Sequence, residues 1–265
     1  MAGDRWSYRG FDLSSGQMRV VSLDGPYALP PLRGSDAPLA GVAGAIWLPK
    51  LPDVRRIALD VRIMPTGGAG GDPATIHSQI DTLSNYFGRG SQGALTYYAP
   101  DSTVRTGQAE VVSWKPMDLS QIGSLYGGVV DFQLADPWLY TPDVVDTARA
   151  IPSSPTSYAL VHPGTVAGNR VIFDFLGPIT NPRITNAALG IWVEVDVVVA
   201  ATKHLILDSG AWTAVNDGVN AIGSVTHLGS VPFMYIAPGS NTLSVTGSAM
   251  TSATRLTTTF SPPWM

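Results

Sequence analysis

The stretch Ile57-Ala58-Leu59-Asp60-Val61-Arg62-Ile63 decides how this 265-residue chain is read. Ile57, Leu59, Val61 and Ile63 alternate with Ala58, Asp60 and Arg62, the two-residue period of a strand that buries one face. Residues 95–98, 109–114 and 129–134 repeat the alternation. After the first of these strands the period changes. Across residues 72–87, Ile76, Ile80, Leu83 and Phe87 fall on one helical face. Asp72 suits the N-cap, Pro73 the first helical position and Gly88 a left-handed stop, so one helix is predicted here.

Residues 24–53 have no sustained period and hold Pro26, Pro30, Pro31, Pro38, Pro49 and Pro52. A loop this long in a compact domain usually serves a function. Trp47, Leu48 and Leu51 are poorly suited to water, so the segment is read as a contact with another chain. A second excursion, 65–71, has four glycines and is read as a mobile loop.

A boundary is expected after Asp136-Pro137-Trp138. Residues 141–163 contain Pro142, Pro152, Pro155 and Pro163 among Ser and Thr, the composition of a linker. Beyond it, residues 170–176, 182–186, 191–199, 204–208, 212–215, 232–236, 242–246 and 255–260 read as short strands. Gly177-Pro178, Ser209-Gly210, Asp217-Gly218 and Pro238-Gly239 separate them as turns. Strands at this spacing form an antiparallel sandwich. The domains expected are 1–140, a linker over 141–163, and 164–265.

Composition agrees with a mainly β chain. Gly (28) and Pro (21) together are about 18% of residues against a usual total near 12%. Charged residues are 14%, well below the common figure of about 25%. Mean hydropathy is +0.14, which reads as surface buried between subunits. The most apolar run, 191–207, carries Glu194, Asp196, Lys203 and His204 and is too polar to span a bilayer. Net charge is −4, with the cations dispersed, so no basic patch could hold nucleic acid. With no cysteine, disulfides, thiolate metal sites and cysteine nucleophiles are excluded. The polar start, residues 1–11, lacks the apolar core of a signal peptide, so a cytoplasmic product is expected.

Candidate chemistry is thin. Gly88, Gly90 and Gly93 match G-x-G-x-x-G, but they follow a helix, whose C-terminus repels phosphate; a dinucleotide loop must precede one. His77, His162, His204 and His227 are scattered, and His77 with Asp81 is too small a set for a metal. Asn216-Asp217-Gly218 resembles the end of a calcium loop, yet Thr213 and Val215 break the ligand pattern, leaving a hairpin turn. Glu194 and Asp196 share one strand face roughly 6–7 Å apart, a spacing conceivable for glycoside hydrolysis but simpler as a solvent face. Trp192 or Trp212 could stack on a sugar ring, which makes a carbohydrate-binding adhesin the alternative function. No catalytic, cofactor or metal residue is assigned.

Three runs in order carry a resemblance: Gly177-Pro178-Ile179-Thr180-Asn181-Pro182-Arg183-Ile184-Thr185-Asn186, then Leu205-Ile206-Leu207-Asp208, then Pro238-Gly239-Ser240-Asn241-Thr242-Leu243. With Trp47-Leu48-Pro49-Lys50, the 57–63 strand, the single helix and Asp136-Pro137, the chain resembles the distal tail protein (Dit) family of long, non-contractile-tailed phages, also called minor tail proteins. The resemblance implies a mainly β fold: a tail-tube-like β domain with one α-helix, then a galectin-like antiparallel β-sandwich. It implies no enzymatic activity, no cofactor, and a baseplate ring of six copies. Its implied partners are sister copies, the tail-tube protein, the tail-associated hub protein, receptor-binding proteins and the tape-measure protein. DNA would pass transiently through the lumen, and no membrane would be involved. The site of action would be the virion tail tip, after synthesis in the host cytoplasm.

Overall fold

The structure, a computed structural model, describes all residues except 1–4, 17, 24–25, 27, 39–44, 47–50, 65–72, 89, 117–125 and 229–232. It is mainly β and divides into two compact units, Met1–Tyr140 with Met265, and Thr141–Trp264.

In the first unit the strands run antiparallel in the order Phe11–Asp12, Arg5–Tyr8, Gly93–Tyr98, Val104–Pro116, Tyr126–Leu134, Arg55–Ile63, Met18–Ser22. The alternation seen at 57–63 buries Ile57, Leu59, Val61 and Ile63 completely. Their face joins Trp6, Tyr8, Leu95, Tyr97, Val130 and Phe132 in one core. The helix Pro73–Phe87 packs there through Leu83 and Phe87. Its cap residue Asp72 and the 65–71 excursion lie outside the described residues. Phe87 sits 5.0 Å from Trp114 and 6.0 Å from Phe132, ring centre to ring centre. A register shift between Val111 and Ser113 bulges the longest strand, and such bulges bend and twist a sheet.

Gly88 does not take the left-handed conformation predicted for it. Its N–H continues the last helical turn to the Ser84 carbonyl at 2.8 Å, and the positive φ falls on Gly90, at 56°. Residues 24–53 also hold more structure than their composition suggests. Leu32–Arg33 pairs with Leu51–Pro52, and Ala37–Pro38 with Ala45–Ile46, so the excursion holds two small two-stranded ribbons.

The second unit is a sandwich of two antiparallel layers. One runs Val144–Ala150, Arg255–Phe260, Val171–Leu176, His204–Asp208, Thr213–Asn216, Val219–Asn220. The other runs Thr156–His162, Gly239–Ser248, Ile179–Asn186, Ile191–Val195, Val225–Leu228, with Val198–Val199 on its third strand. Phe173, Phe175, Leu205, Leu207 and Phe260 from the first layer meet Ile184, Val193, Val195, Leu243 and Val245 from the second.

Two expectations are corrected here. The proposed linker over 141–163 carries two strands, Val144–Ala150 and Thr156–His162, one in each layer. Its prolines lie between or beyond these strands, where no ladder N–H is needed. Of the strand expected over 232–236, the described residues 233–236 do not form one. Phe233 and Met234 are both buried, which breaks the alternation. The backbone there is held by Ser209 Oγ on Met234 N–H, by a single bridge between Gly168 and Ile236, and by the Asn241 side chain on Ala237.

His162 is 2% exposed, its ring stacked 5.7 Å from Phe260. Gly164 and Gly168 make its room: a Cβ on either would come within 2.7 and 3.2 Å of the imidazole. Neither ring nitrogen has a well-formed hydrogen bond. Burial pushes its pKa down, and the backbone of residues 162 and 164 pulls weakly the other way.

Phe87→Ala should destabilise the first unit by about 3–5 kcal/mol in urea unfolding, as deletion of a buried ring does. The unfolded chain should bind a proton at His162 near pH 6.5 that the folded chain refuses, so stability should rise with pH through that window and fall below it. Urea midpoints compared at about pH 7.5 and about pH 5.5 should therefore drop at the lower pH, and His162→Phe should flatten that slope.

Candidate functional site

Both units expose groups open to contact. In the first unit, the ribbon excursion presents Leu29, Leu32 and Leu51, which are 71%, 61% and 60% exposed. A hollow of about 500 Å³ lies beside them, lined by Ala28, Leu29, Pro31, Val54 and Arg56. The excursion is fastened at its base. Asp53 N–H donates to the Pro31 carbonyl at 2.7 Å, and the buried Arg55 guanidinium donates to the carbonyls of Pro26 and Pro137. Burial lowers the Arg55 pKa, and a guanidinium remains charged even so. Trp47 and Leu48, read with Leu51 as contact residues, lie outside the described residues.

In the second unit, a hollow of about 390 Å³ opens on the first layer, lined in part by Asp143, Arg170, Ile172, Asp208 and Ser261. On the other layer, Arg183, Trp192 and Glu194 form a surface cluster. The Arg183 guanidinium lies 4.0 Å from the centre of the Trp192 ring and 3.9 Å from the Glu194 carboxylate. Trp192 therefore already carries a cation on its face. Trp212 is 54% exposed and sits in the hairpin joining His204–Asp208 to Thr213–Asn216. The two tryptophans considered for sugar stacking thus belong to different layers.

The remaining candidates resolve into structural roles. Gly93 opens a strand, where a Cβ would meet the Arg9 side chain at 2.4 Å. His77 and Asp81 are both exposed on the helix. Asp217 and Gly218 form a two-residue hairpin with φ of 48° and 81°, and Asp217 pairs with Lys203 at 2.9 Å. His204 Nδ1 lies 2.7 Å from Asp174 Oδ1, a pair that the sequence did not announce because 30 residues separate them. Glu194 is on its strand beside Arg183, whereas Asp196 lies past the strand end with its N–H on the Ser224 carbonyl. Neither lines the hollow. Among the described residues no group of three or more His, Asp or Glu could hold a metal, and no helix is long and apolar enough to cross a membrane.

Among the described residues the chain is an antiparallel, two-unit β architecture with one α-helix, Pro73–Phe87. Its likeness among solved structures is specific. The crystal structure of the Dit protein of phage SPP1, described as a paradigm of hub adsorption apparatus in Gram-positive infecting phages, matches with a TM-score of 0.69. Identity is 15%, and 99% of each chain is covered. The fold is therefore that of the SPP1 Dit hub protein. A chain of the phage P2 baseplate, in its activated conformation with Ca, matches with a TM-score of 0.44 at 8% identity over 98% of each chain, which is too loose to build on. No protein-family model matches the sequence, and none of the curated proteins does.

The Arg183–Glu194 pair is a partly exposed ion pair of long reach, and such pairs contribute about 0–1 kcal/mol. Glu194→Gln should accordingly leave the thermal unfolding midpoint within a degree or two, about the shift such a small energy produces.

Proposed function

We propose that this chain is a structural component of a bacteriophage tail tip, a distal tail or baseplate hub protein. Six copies close a ring through the unit of residues 1–140, and the sandwich projects outward as a docking platform. The ring joins the tail-tube protein on one side to the tail-associated hub protein and receptor-binding proteins on the other. The tape-measure protein and the DNA pass its lumen transiently. The chain acts in the virion as a non-enzymatic part.

The observation that carries this reading is the end-to-end correspondence with SPP1 Dit, which spans both units with little left over on either chain. The surface supports it. Leu29, Leu32 and Leu51 stand in solvent on an excursion whose base is fastened by a buried arginine, an arrangement that keeps apolar groups displayed. A subunit whose neighbours cover such groups recovers about 25 cal/mol for each Å² of apolar surface removed from water. Charge agrees as well. Residues 1–140 hold 11 basic and 13 acidic groups, and the rest hold 5 and 7, so each part carries −2. A lumen without a basic stripe lets a polyanion slide through without capture.

Light scattering and negative-stain images of the purified full chain test the ring. Wild type is expected to form closed rings, and Leu32→Asp combined with Leu51→Asp to remain monomeric with its melting temperature unchanged. A strictly monomeric wild type at high concentration, with no ring in assembled particles, would overturn the proposal.

A further inference from the structure

A strand at the end of a sheet has one neighbour, and its other side shows backbone N–H and C=O groups that a further strand can take up. Among the described residues the sandwich has four such ends: Val144–Ala150 and Val219–Asn220 in one layer, Thr156–His162 and Val225–Leu228 in the other. Three are blunted by their own sequence. Val219–Asn220 has two residues and Val225–Leu228 four, and short edges offer little to pair with. Val144–Ala150 carries Asp146 and Arg149, and its register shifts between them.

Thr156–His162 is different. Its seven residues pair without a break, from Thr156 opposite Val245 to His162 opposite Gly239. The run Thr156-Ser157-Tyr158-Ala159-Leu160-Val161-His162 holds no Lys, Arg, Asp or Glu, no proline and no glycine. Ser157, Ala159 and Val161 face outward and are exposed, Val161 at 66%. A β-prone, uncharged segment of this length on an open edge pairs readily with a copy of itself.

What covers this edge comes from the other layer. The Arg149 guanidinium lies 5.0 Å from the centre of the Tyr158 ring, and its Nη2 donates to the Ala159 carbonyl at 3.4 Å. Asp146 holds the guanidinium there, accepting from Nε at 2.5 Å and from Nη2 at 2.8 Å. Tyr158 is fixed in turn, buried and with its hydroxyl 3.1 Å from Thr258 Oγ1. One arginine thus reaches from the edge of one layer to the edge of the other, and brings a charge to a strand that has none of its own. Its side chain stays 40% exposed, and an ion pair that open adds little stability.

We propose that Arg149 guards the Thr156–His162 edge, and that the surface it guards fits the same strand of a second copy, paired antiparallel about a two-fold axis. A strand joining there must displace Arg149 from the Ala159 carbonyl, and two approaching copies would each bring a guanidinium to one seam, where like charges repel. Without the arginine, nothing in the run's own side chains opposes the pairing. This inference goes beyond the ring reading, and every residue it uses belongs to the second unit.

The full chain is prepared as wild type, as Arg149→Ala, and as Arg149→Ala combined with Val161→Lys. The three are incubated side by side and followed by thioflavin T fluorescence and backbone amide hydrogen exchange. Wild type is expected to stay dark to the dye. Arg149→Ala should form dye-binding assemblies in which the amides of residues 156–162 exchange at least about tenfold more slowly than in wild type. Val161→Lys returns a charge to the edge strand itself, so the double variant should behave as wild type does. Both variants lack the arginine, so any loss of stability is common to them and only the edge charge differs. Ring closure through the first unit is common to all three chains and does not enter the comparison. An Arg149→Ala chain that stays dark to the dye overturns the proposal. A double variant that assembles as fast as the single one also overturns it, since the cause would then be lost stability and not an opened edge. Slowed exchange that spares residues 156–162 overturns it as well.

Discussion

Both units depend on one constraint, the alternation of side chains across a strand. A slip of one residue in pairing turns a buried face into an exposed one. In the first unit such a slip would move Ile57, Leu59, Val61 and Ile63 out of the core and turn Ala58 and Arg62 toward it. Each strand therefore holds its neighbours in register, and the helix closes the resulting apolar face through Leu83 and Phe87. In the second unit each layer supplies the other's cover, so no helix is needed there.

That same alternation governs what could be read in the sequence. The 57–63 strand and the 72–87 helix were legible because one face of each is nearly pure in composition. Val144–Ala150 was not, since it is an edge strand with no buried residue and so has no apolar period to detect. Residues 232–236 erred the other way. Their apolar density looks strand-like, but Ser209 and Asn241 supply the hydrogen bonds that a neighbouring strand would have given. Side-chain caps from distant positions leave no local mark.

The same distance effect hides the sandwich hollow. Its residues come from positions 143, 170, 208 and 261, which only the strand order brings together: Thr259 stands opposite Ile172, and Ile172 opposite Asp208. Trp212 was visible as an exposed aromatic candidate, but its backbone conformation was not. Ser209-Gly210 suggests that the glycine supplies the left-handed turn, whereas the tryptophan does.

At 15% identity over nearly the whole of both chains, the likeness to SPP1 Dit is kept by pattern more than by particular side chains. A buried position tolerates exchange among apolar residues of similar volume, so a core can drift far while its register persists. Surface positions have no such requirement. The ribbon leucines and the Trp212 loop lie outside both cores. They are where two proteins sharing this scaffold are free to differ in what they touch, because changing them leaves the alternating faces, and with them the fold, intact.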